Sequence, residues 1–376
     1  MRIALFTDSF IPGVGGTEQA VFRQATALMK EHEVMVLAPR AGKNFDDSVF
    51  VFKVARSKSI QVTGNDYWAM PWASKKMKKA LDEFKPEVVH IHTVGMMAGY
   101  GNKYARKHNI PSISTVHTNF RQCYKVAFKS SFLAEILIKV VMRRVKQADR
   151  VCTVSEYMSG QLRSYGVKNP TTVVKNGNDV EVCPKELKVK TDNVFNIIYV
   201  GRIVEYKNLR FSLKVMQELK KRRNDFKFRL VGNGPDFKKF IKLAKKFGVS
   251  ENVEFVGVVS DKKKLKELYA SSDLFLFTSL IDSDGLVVME AAAERTPSLV
   301  IENTGISERI IDLKTGFVVK NDLTAVADKL CTLMDNKSLI EEVGDEAHKM
   351  FCSWLDTANE YVKIYEEEIA KKQSKG

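Results

Sequence analysis

The chain is organised around one stretch in its second half, Ser279-Leu280-Ile281-Asp282-Ser283-Asp284-Gly285-Leu286-Val287-Val288-Met289-Glu290-Ala291-Ala292-Ala293. The apolar run 274–277 before it predicts a buried parallel strand, and its alanine-rich end predicts a helix. Open α/β sheets bind anionic ligands at loops that lead from the carboxyl end of a strand into a helix. We therefore expect the free N–H groups from Asp284 to Val287 to face a phosphate.

Two carboxylates frame this predicted phosphate site. Asp282 lies in the loop, and Glu290 lies about 7 Å further along the helix axis, at roughly 1.5 Å per residue. That span suits a nucleotide sugar, with the sugar hydroxyls at one end and the ribose hydroxyls at the other. The stretch therefore predicts a site for a nucleoside diphosphate sugar.

The same residues resemble the E-x7-E signature of the retaining glycosyltransferases of family 4. The resemblance consists of Asp282, Glu290 with the alanines after it, and Thr296-Pro297. Asp282 stands where the family usually has Glu, and Arg295 stands where it usually has Gly. The resemblance implies an α/β protein of the GT-B fold, with two Rossmann-like, doubly wound domains and a cleft between them.

A second motif follows the predicted strand 195–200. Arg202 comes directly after Gly201, and Lys207 comes five residues beyond Arg202. A departing nucleoside diphosphate develops negative charge, which a site without metal must neutralise with cations and helix N–H groups. The alternative is a surface arginine and a lysine at a helix start.

The resemblance also assigns residues in the first half of the chain. The glycine-rich loop 13–16 fails as a dinucleotide fingerprint, because position 18, where the third glycine should fall, is Glu18. A tight turn alone is the competing interpretation. In the family, Gly15 and Gly16 let the diphosphate and the acceptor approach, and His117 contacts the donor sugar.

The complete predicted site is then as follows. The catalytic residues are Asp282, Glu290 and His117. The donor-binding residues are Gly15, Gly16, Arg202, Lys207, Asp284, Gly285, Leu286 and Glu290. We expect no cofactor and no metal, and we expect His90 and His92 to be structural or to line the cleft.

A metal-dependent alternative comes from Asp282-Ser283-Asp284, which is literally the D-x-D triplet of GT-A glycosyltransferases. Here the triplet precedes a helix late in a two-domain chain. With Arg202 and Lys207 available for the diphosphate charge, a metal ion would be redundant. A catalytically silent sugar-nucleotide-binding module is a further alternative, supported only by the departures at Asp282 and Arg295.

The length of 376 residues predicts two domains. We place an acceptor domain at 1–180, a linker at 181–193 and a nucleotide-sugar domain at 194–352. A last helix at 353–370 is expected to pack back on the first domain, and the tail 371–376 is expected to be disordered. No signal peptide, membrane-spanning run or C-x-x-C pair is evident, which favours a cytoplasmic protein.

The net charge of +15 is concentrated in the first half, where residues 1–180 carry 27 Lys and Arg against 14 Asp and Glu. Such a surface suits an anionic membrane, nucleic acid or an anionic substrate. No nucleic-acid-binding motif accompanies the charge, so we expect no nucleic acid partner.

Two stretches favour a membrane. The aromatic segment 67–72 runs into the cationic cluster 75–79, and the segment 127–150 reads as a basic amphipathic helix. The apolar face of that helix is formed by Phe132, Leu133, Ile136, Leu137, Val140 and Val141. Its basic stripe is formed by Lys139, Arg143, Lys146 and Arg150. The competing interpretation is that the apolar face is core and the stripe is a solvated surface.

We therefore expect a protein that is peripheral at the inner face of the membrane. Its acceptor would be a diacylglycerol-type glycolipid or a lipid-linked glycan. A polysaccharide-building enzyme with a soluble sugar acceptor is the alternative.

Overall fold

The computed structural model describes residues 1–13, 15–40, 42, 45–63, 66–128, 130–178, 194–350 and 352–374. The chain divides into two compact units, Met1–Gly177 with Cys352–Gly376, and Asn178–Phe351. The predicted linker at 181–193 lies outside the described residues.

The first unit is a parallel sheet covered by helices. The strands of this sheet are β1 (Arg2–Phe6), β2 (Glu33–Ala38), β3 (Lys53–Arg56), β6 (Val88–Ile91), β7 (Ser112–Val116), β8 (Arg150–Thr153) and β9 (Thr171–Val173). The strands β4 (Ser59–Thr63) and β5 (Asp66–Ala69) form a separate antiparallel pair. Its helices are α1 (Gly16–Leu28), α2 (Lys75–Phe84), α3 (Met96–His108), α4 (Phe120–Phe128), α5 (Ser131–Val145), α6 (Glu156–Ser164) and the C-terminal helix, which follows the second unit in sequence. The strand order is β3-β2-β1-β6-β7-β8-β9.

The second unit repeats this plan. Its strands are β10 (Phe195–Val200), β11 (Phe226–Val231), β12 (Val253–Gly257), β13 (Leu274–Phe277), β14 (Ser298–Ile301) and β15 (Phe317–Val319). Its helices are α7 (Leu209–Lys220), α8 (Phe237–Lys246), α9 (Lys262–Ala270), α10 (Leu286–Ala293), α11 (Leu323–Asp335) and α12 (Lys337–Ala347). The C-terminal helix, α13 (Trp354–Gln373), returns to the first unit, where it packs on α1.

Both sheets confirm the predicted α/β class with two Rossmann-like domains. The second sheet is parallel throughout, in the order β12-β11-β10-β13-β14-β15. The strand order therefore reverses between β10 and β13, and in the first sheet between β1 and β6. Open α/β sheets bind ligands beyond the carboxyl ends of the strands at these switch points.

Three local predictions differ from the structure. The sequence predicts a strand at Val49–Val54, but the strand begins only at Lys53, because Asp47–Val49 forms a short 3-10 helix that the Asp46 carboxylate caps. The tail expected to be disordered from residue 371 is helical as far as Gln373. Within the described residues, no helix is both long enough and apolar enough to span a bilayer.

The third difference concerns α5, whose predicted single apolar face is divided. The core side consists of Ala134, Ile138, Met142 and Val145, at spacings of 4, 4 and 3 residues. Four residues of the predicted face are exposed, namely Phe132, Leu133, Ile136 and Val140. The basic stripe is also shorter than predicted, because Arg150 is largely buried and forms ion pairs with Glu367 and Glu368 of α13.

Arg295 adopts a left-handed backbone conformation, with φ of 55°. Its guanidinium lies 2.7 Å from the carboxylate of Asp345, and the side chain is largely buried. Glycine is the residue that adopts this conformation without steric cost. The usual family glycine at this position therefore has a backbone reason, and here the ion pair with Asp345 offsets the cost of a side chain.

Comparing Arg295→Gly with Arg295→Ala tests this explanation. Both variants lose the ion pair, but only alanine keeps the steric cost of a Cβ in the left-handed region. We expect the glycine variant to be more stable by about 1 kcal/mol in urea unfolding followed by circular dichroism. Equal stability, or a more stable alanine variant, would contradict the backbone explanation.

Candidate active site

The loop after β13 and the loop after β10 meet through an ion pair. Nζ of Lys207 lies 2.5 Å from Oδ1 of Asp282, and both side chains are about one-fifth exposed, 18% and 21%. Oδ2 of Asp282 is buried and has no hydrogen-bond partner among the described residues. Asp282 therefore holds the lysine with one oxygen, while its second oxygen is a buried acceptor without a donor among the described residues.

Neighbouring contacts fix the backbone around Lys207. Asn208 is left-handed, with φ of 62°, and its side-chain amide donates to the carbonyl of Thr278 at 3.0 Å. The hydroxyl of Thr278 is 2.7 Å from that of Ser212 on α7. These bonds join the end of β13 to the start of α7, so the position of Lys207 relative to Asp282 does not depend on the ion pair alone.

Arg202 lies on the exposed side of the same loop. Its carbonyl accepts a hydrogen bond from the hydroxyl of the buried Tyr199, at 3.2 Å. Its guanidinium has no partner within the described part of the chain, so the cation is available to an anion from solvent. Burial, with a smaller effect of Asp282, raises the pKa of Tyr199 well above its ordinary value. Tyr199 therefore stays neutral and acts as a structural donor.

Asp284 makes a different contact from Asp282. Its carboxylate forms an ion pair with Arg309, and the two side chains are almost fully buried. The side chain thus ties its loop to the segment after β14. What Asp284 can offer a ligand is its backbone, which agrees with the backbone donors predicted for the turn 284–286.

Gly285 is the N-cap of α10, with φ of 66°. A Cβ there would lie 2.9 Å from Cδ1 of Ile306, so both the backbone conformation and the packing favour glycine. The first N–H groups of a helix lack acceptors within the helix, and here they begin at Leu286. The predicted helix start is therefore present, and anion binding there stays a prediction.

Glu290 lies one turn into α10, where Oε2 accepts a hydrogen bond from Tyr269 at 3.1 Å. Tyr269 is fully buried on α9, and burial followed by the charge of Glu290 raises its pKa well above the ordinary value. The phenol therefore stays protonated. It fixes the orientation of one carboxylate oxygen of Glu290.

These pairings also bear on the metal-dependent alternative. Lys207 holds Asp282 and Arg309 holds Asp284, so the two carboxylates of the triplet bind separate cations. A shared metal ion would have to displace both. Across the described ranges, no group of three or more His, Cys, Asp or Glu residues has a geometry that could hold a metal.

In the first unit, the glycine-rich loop leads from β1 into α1, and Gly15 is the N-cap of that helix. A Cβ on Gly15 would come within 2.2 Å of the Glu18 carboxylate, whereas a Cβ on Gly16 would meet no described atom within 4 Å. The packing of the chain itself therefore gives a reason for glycine at position 15, where Glu18 would have to move, and none at position 16.

His117 follows β7 and belongs to a row of three histidines. Its Nε2 lies 3.1 Å from Nδ1 of His92, and the ring of His92 lies 4.1 Å from that of His90. Burial lowers the pKa of all three, and that of His117 falls to about 4. The three rings are therefore neutral at physiological pH.

The residues predicted in the second half, from Arg202 to Glu290, all belong to the second unit, and Gly15, Gly16 and His117 belong to the first. Sequence reasoning missed three supporting residues, Asn208, Tyr269 and Arg309. Arg309 directly follows Asn303-Thr304-Gly305-Ile306-Ser307-Glu308, a stretch that also resembles the family pattern and could have served as a signal. Tyr269 gives no such signal, because a tyrosine on an amphipathic helix is usually explained by packing alone.

Comparison with known proteins gives two family models that together span nearly the whole chain. The model "Glycosyltransferase Family 4" matches residues 14–182, and the model "Glycosyl transferases group 1" matches residues 184–350. Both family models thus describe glycosyltransferases.

Individual relatives are distant but extend over most of the chain. An alpha-monoglucosyldiacylglycerol synthase of Streptococcus pneumoniae is 23% identical over 84% of this chain and 74% of its own. A glycogen synthase of Mycobacterium tuberculosis is 25% identical over 97% of this chain and 94% of its own. The Anabaena protein HepE, solved in complex with UDP, has the same fold, with a TM-score of 0.75, 15% identity and coverage of 98% and 100%. Together with the two sheets, this likeness confirms the predicted GT-B fold.

The neutral histidines predict that the first unit loses stability in acid. An unfolded histidine takes up a proton below pH 6.5, whereas folded His117 resists protonation down to about pH 4. Folding therefore becomes less favourable as the pH falls between these values, by about 1.4 kcal/mol per pH unit for each such histidine. All three tryptophans, Trp68, Trp72 and Trp354, lie in this unit. Their fluorescence in urea at pH 7.5 and at pH 5 measures the effect.

His117→Gln should reduce this pH dependence, because glutamine does not titrate. The exposed His108 on α3 provides the matched control. We expect His108→Gln to leave the pH dependence as it is in the wild type. An identical pH dependence in wild type and His117→Gln would contradict the prediction.

Proposed function

Because this chain belongs to glycosyltransferase family 4, we propose that it transfers a hexose from a nucleoside diphosphate sugar to a membrane-associated acceptor, with retention of configuration. The observation that carries the donor part is the ion pair of Lys207 with Asp282 at the switch point of the second sheet. A cation there, beside a helix start and a carboxylate, supplies the groups that a sugar diphosphate needs.

Each group then has a part in the transfer. Lys207 and Arg202 neutralise the diphosphate as it leaves, which matters most in the transition state. The backbone of 284–286 adds N–H donors at the start of α10. Asp282 binds sugar hydroxyls, Glu290 binds ribose hydroxyls, and His117 contacts the sugar. Because Asp282 and Asp284 are already paired with cations, we propose that transfer needs no metal.

UDP-glucose is the first donor to test. Two relatives support this choice, the glucosyl lipid synthase of Streptococcus pneumoniae by its name and HepE by its complex with UDP. Both are distant, and no residue of the site described above selects the base or the sugar. GDP- and ADP-sugars are therefore tested beside it.

The proposed membrane surface begins with the antiparallel pair β4–β5. Ile60 lies opposite Trp68 across the two strands, and both are exposed, Trp68 at 70%. Trp72 follows on the next turn, and the exposed Lys75, Lys76 and Lys79 open α2. Exposed indole rings next to lysines are typical of proteins that lie at a bilayer interface.

The exposed side of α5 provides the second part. Phe132, Ile136 and Val140 are spaced four residues apart and are all exposed, Phe132 at 78%. Lys139, Arg143 and Lys146 are exposed on the same helix. The helix α3 contacts both α5 and the turn Pro71–Ala73, so the two parts flank a single helix.

Their charge suits an anionic leaflet. Each cation near such a surface contributes on the order of 1 kcal/mol, so six of them are enough to hold a protein there reversibly. This favours a diacylglycerol-type glycolipid or a lipid-linked glycan as acceptor. The likeness to a glycogen synthase favours the alternative, a soluble glycan acceptor.

The donor assignment predicts that Lys207→Ala loses turnover by several orders of magnitude, because the variant lacks the charge that stabilises the leaving diphosphate. The wild type is first incubated with UDP-, GDP- and ADP-sugars, with and without chelator, and nucleotide release is measured. Lys207→Ala is then assayed with the donor that reacts.

Lys221→Ala is the matched control, since Lys221 is an exposed lysine of the same unit. It should retain full turnover, and chelator should not affect the wild type. Turnover like that of the wild type in Lys207→Ala would refute the assignment of Lys207. Loss of activity in chelator would refute metal independence. Absence of nucleotide release with every donor would refute the proposed transferase activity.

The acceptor assignment predicts that the protein sediments with vesicles in proportion to their anionic lipid content, and that high salt releases it. Ile136→Ser and Lys139→Gln each remove an exposed side chain of α5 without touching its core side. We expect both to reduce sedimentation several-fold.

Val258→Ser is the matched control for lost apolar surface, because Val258 is exposed in the second unit. Its sedimentation should equal that of the wild type. Binding that does not depend on lipid charge would contradict the lipid acceptor, and so would transfer to a soluble sugar as fast as to a lipid. Either result would favour the soluble glycan acceptor.

A further inference from the structure

His92 is buried beside His117, and the two rings are nearly parallel. His92 follows β6 and is 2% exposed, while His117 is partly exposed. The ring centres are 5.4 Å apart with 21° between their planes, and the nitrogen atoms that face each other are 3.1 Å apart. A ligand can therefore reach His117 but not His92.

A bond between two neutral imidazoles requires one donor and one acceptor. Each neutral ring carries a single proton. Nε2 of His92 is buried and has no hydrogen-bond partner among the described residues. A proton there would be a buried donor without an acceptor, which is rare in folded proteins, whereas a bare nitrogen costs less.

We infer that His92 carries its proton on Nδ1 and donates it to Nε2 of His117, so that His117 carries its own proton on Nδ1. His92 is then a positioning residue that fixes both the ring orientation and the tautomer of His117. Nothing among the described residues bonds to Nδ1 of His117, so that N–H is available to an oxygen of a substrate.

The ring of His92 is itself held in place. Its backbone N–H donates to the carbonyl of Phe6, at 2.9 Å, and its ring contacts that of His90 at an angle of 34° between the planes. His90 is fixed on both sides, with Nδ1 2.6 Å from the hydroxyl of Tyr365 and Nε2 2.7 Å from that of Thr115.

The hydroxyl of Thr115 donates in turn to Tyr361. Thr115 therefore accepts from Nε2 of His90, which leaves Nδ1 of His90 to accept from Tyr365. This series of contacts leads from the tyrosines of α13 through His90 and His92 to His117. The proton of each histidine ring is then assigned to one nitrogen.

A fixed Nδ1–H makes His117 a hydrogen-bond donor that remains neutral. Such a group can hold a sugar hydroxyl or a leaving oxygen without exchanging its proton. This part of the inference rests on the proposed function, because it requires that a sugar reaches His117. The tautomer itself does not depend on the reaction.

The test uses the full chain labelled with ¹⁵N histidine and long-range ¹H–¹⁵N spectra, compared among wild type, His92→Asn and His92→Leu. The side-chain nitrogen of asparagine occupies about the position of Nδ1 and can still donate, whereas leucine cannot. His117→Gln identifies the His117 signals. We expect a protonated Nδ1 and a bare Nε2 on His117 in the wild type and in His92→Asn, and a mixture of tautomers in His92→Leu.

We expect turnover to depend on the tautomer of His117. In His92→Leu we expect kcat to fall at least about tenfold with KM for the donor little changed, and His92→Asn to restore it. Circular dichroism checks that both variants fold. A protonated Nε2 on His117 in the wild type would overturn the tautomer, and full kcat in His92→Leu would overturn the positioning role. If no donor reacts with the wild type, the proposed function fails, and the spectra still decide the tautomer.

Discussion

The ion pair of Lys207 with Asp282 is the interaction on which the candidate site depends. It joins the loops after β10 and β13, two strands that neighbour each other only because the sheet reverses its order there. In the proposed function, the pair combines the cation for a diphosphate with a carboxylate for a sugar. Asn208 and Arg309 hold the same loops from either side, so the pair lies within a fixed frame of hydrogen bonds and a second, more deeply buried ion pair.

The candidate residues of the first unit are neutral, in contrast to the cations of the second unit. Where the second unit presents Arg202 and Lys207, the first presents His117 at the end of a row of uncharged rings. Burial keeps those rings neutral, and the hydroxyl groups of Tyr365 and Thr115 assign the proton of His90. In the proposed function, the second unit supplies charge for the departing diphosphate, and the first unit adds a neutral donor for the sugar.

The surface of the first unit shows how an amphipathic pattern can be misread. The sequence of α5 offered one apolar face, and the fold buries Ala134, Ile138, Met142 and Val145, of which only Ile138 and Val145 carry branched aliphatic side chains. The apolar residues Phe132, Ile136 and Val140 of the same helix remain exposed to solvent beside lysine and arginine. In the proposed function, this exposed apolar stripe and the surrounding charge lie against an anionic lipid surface.

The fold class and part of the candidate site could be predicted from the sequence alone. The apolar runs before Gly201 and Asp282 predicted two buried strands, the alanine-rich end of the central stretch predicted a helix, and the resemblance to the E-x7-E signature implied the family. These are local patterns, and local patterns report backbone conformation and burial. The positions of Tyr269, Arg309 and His92 could not be predicted in this way, because their partners, Glu290, Asp284 and His117, are 21 to 25 residues away in the chain. Only the tertiary structure brings such pairs within hydrogen-bond distance, and it also decided which side of α5 faces the core.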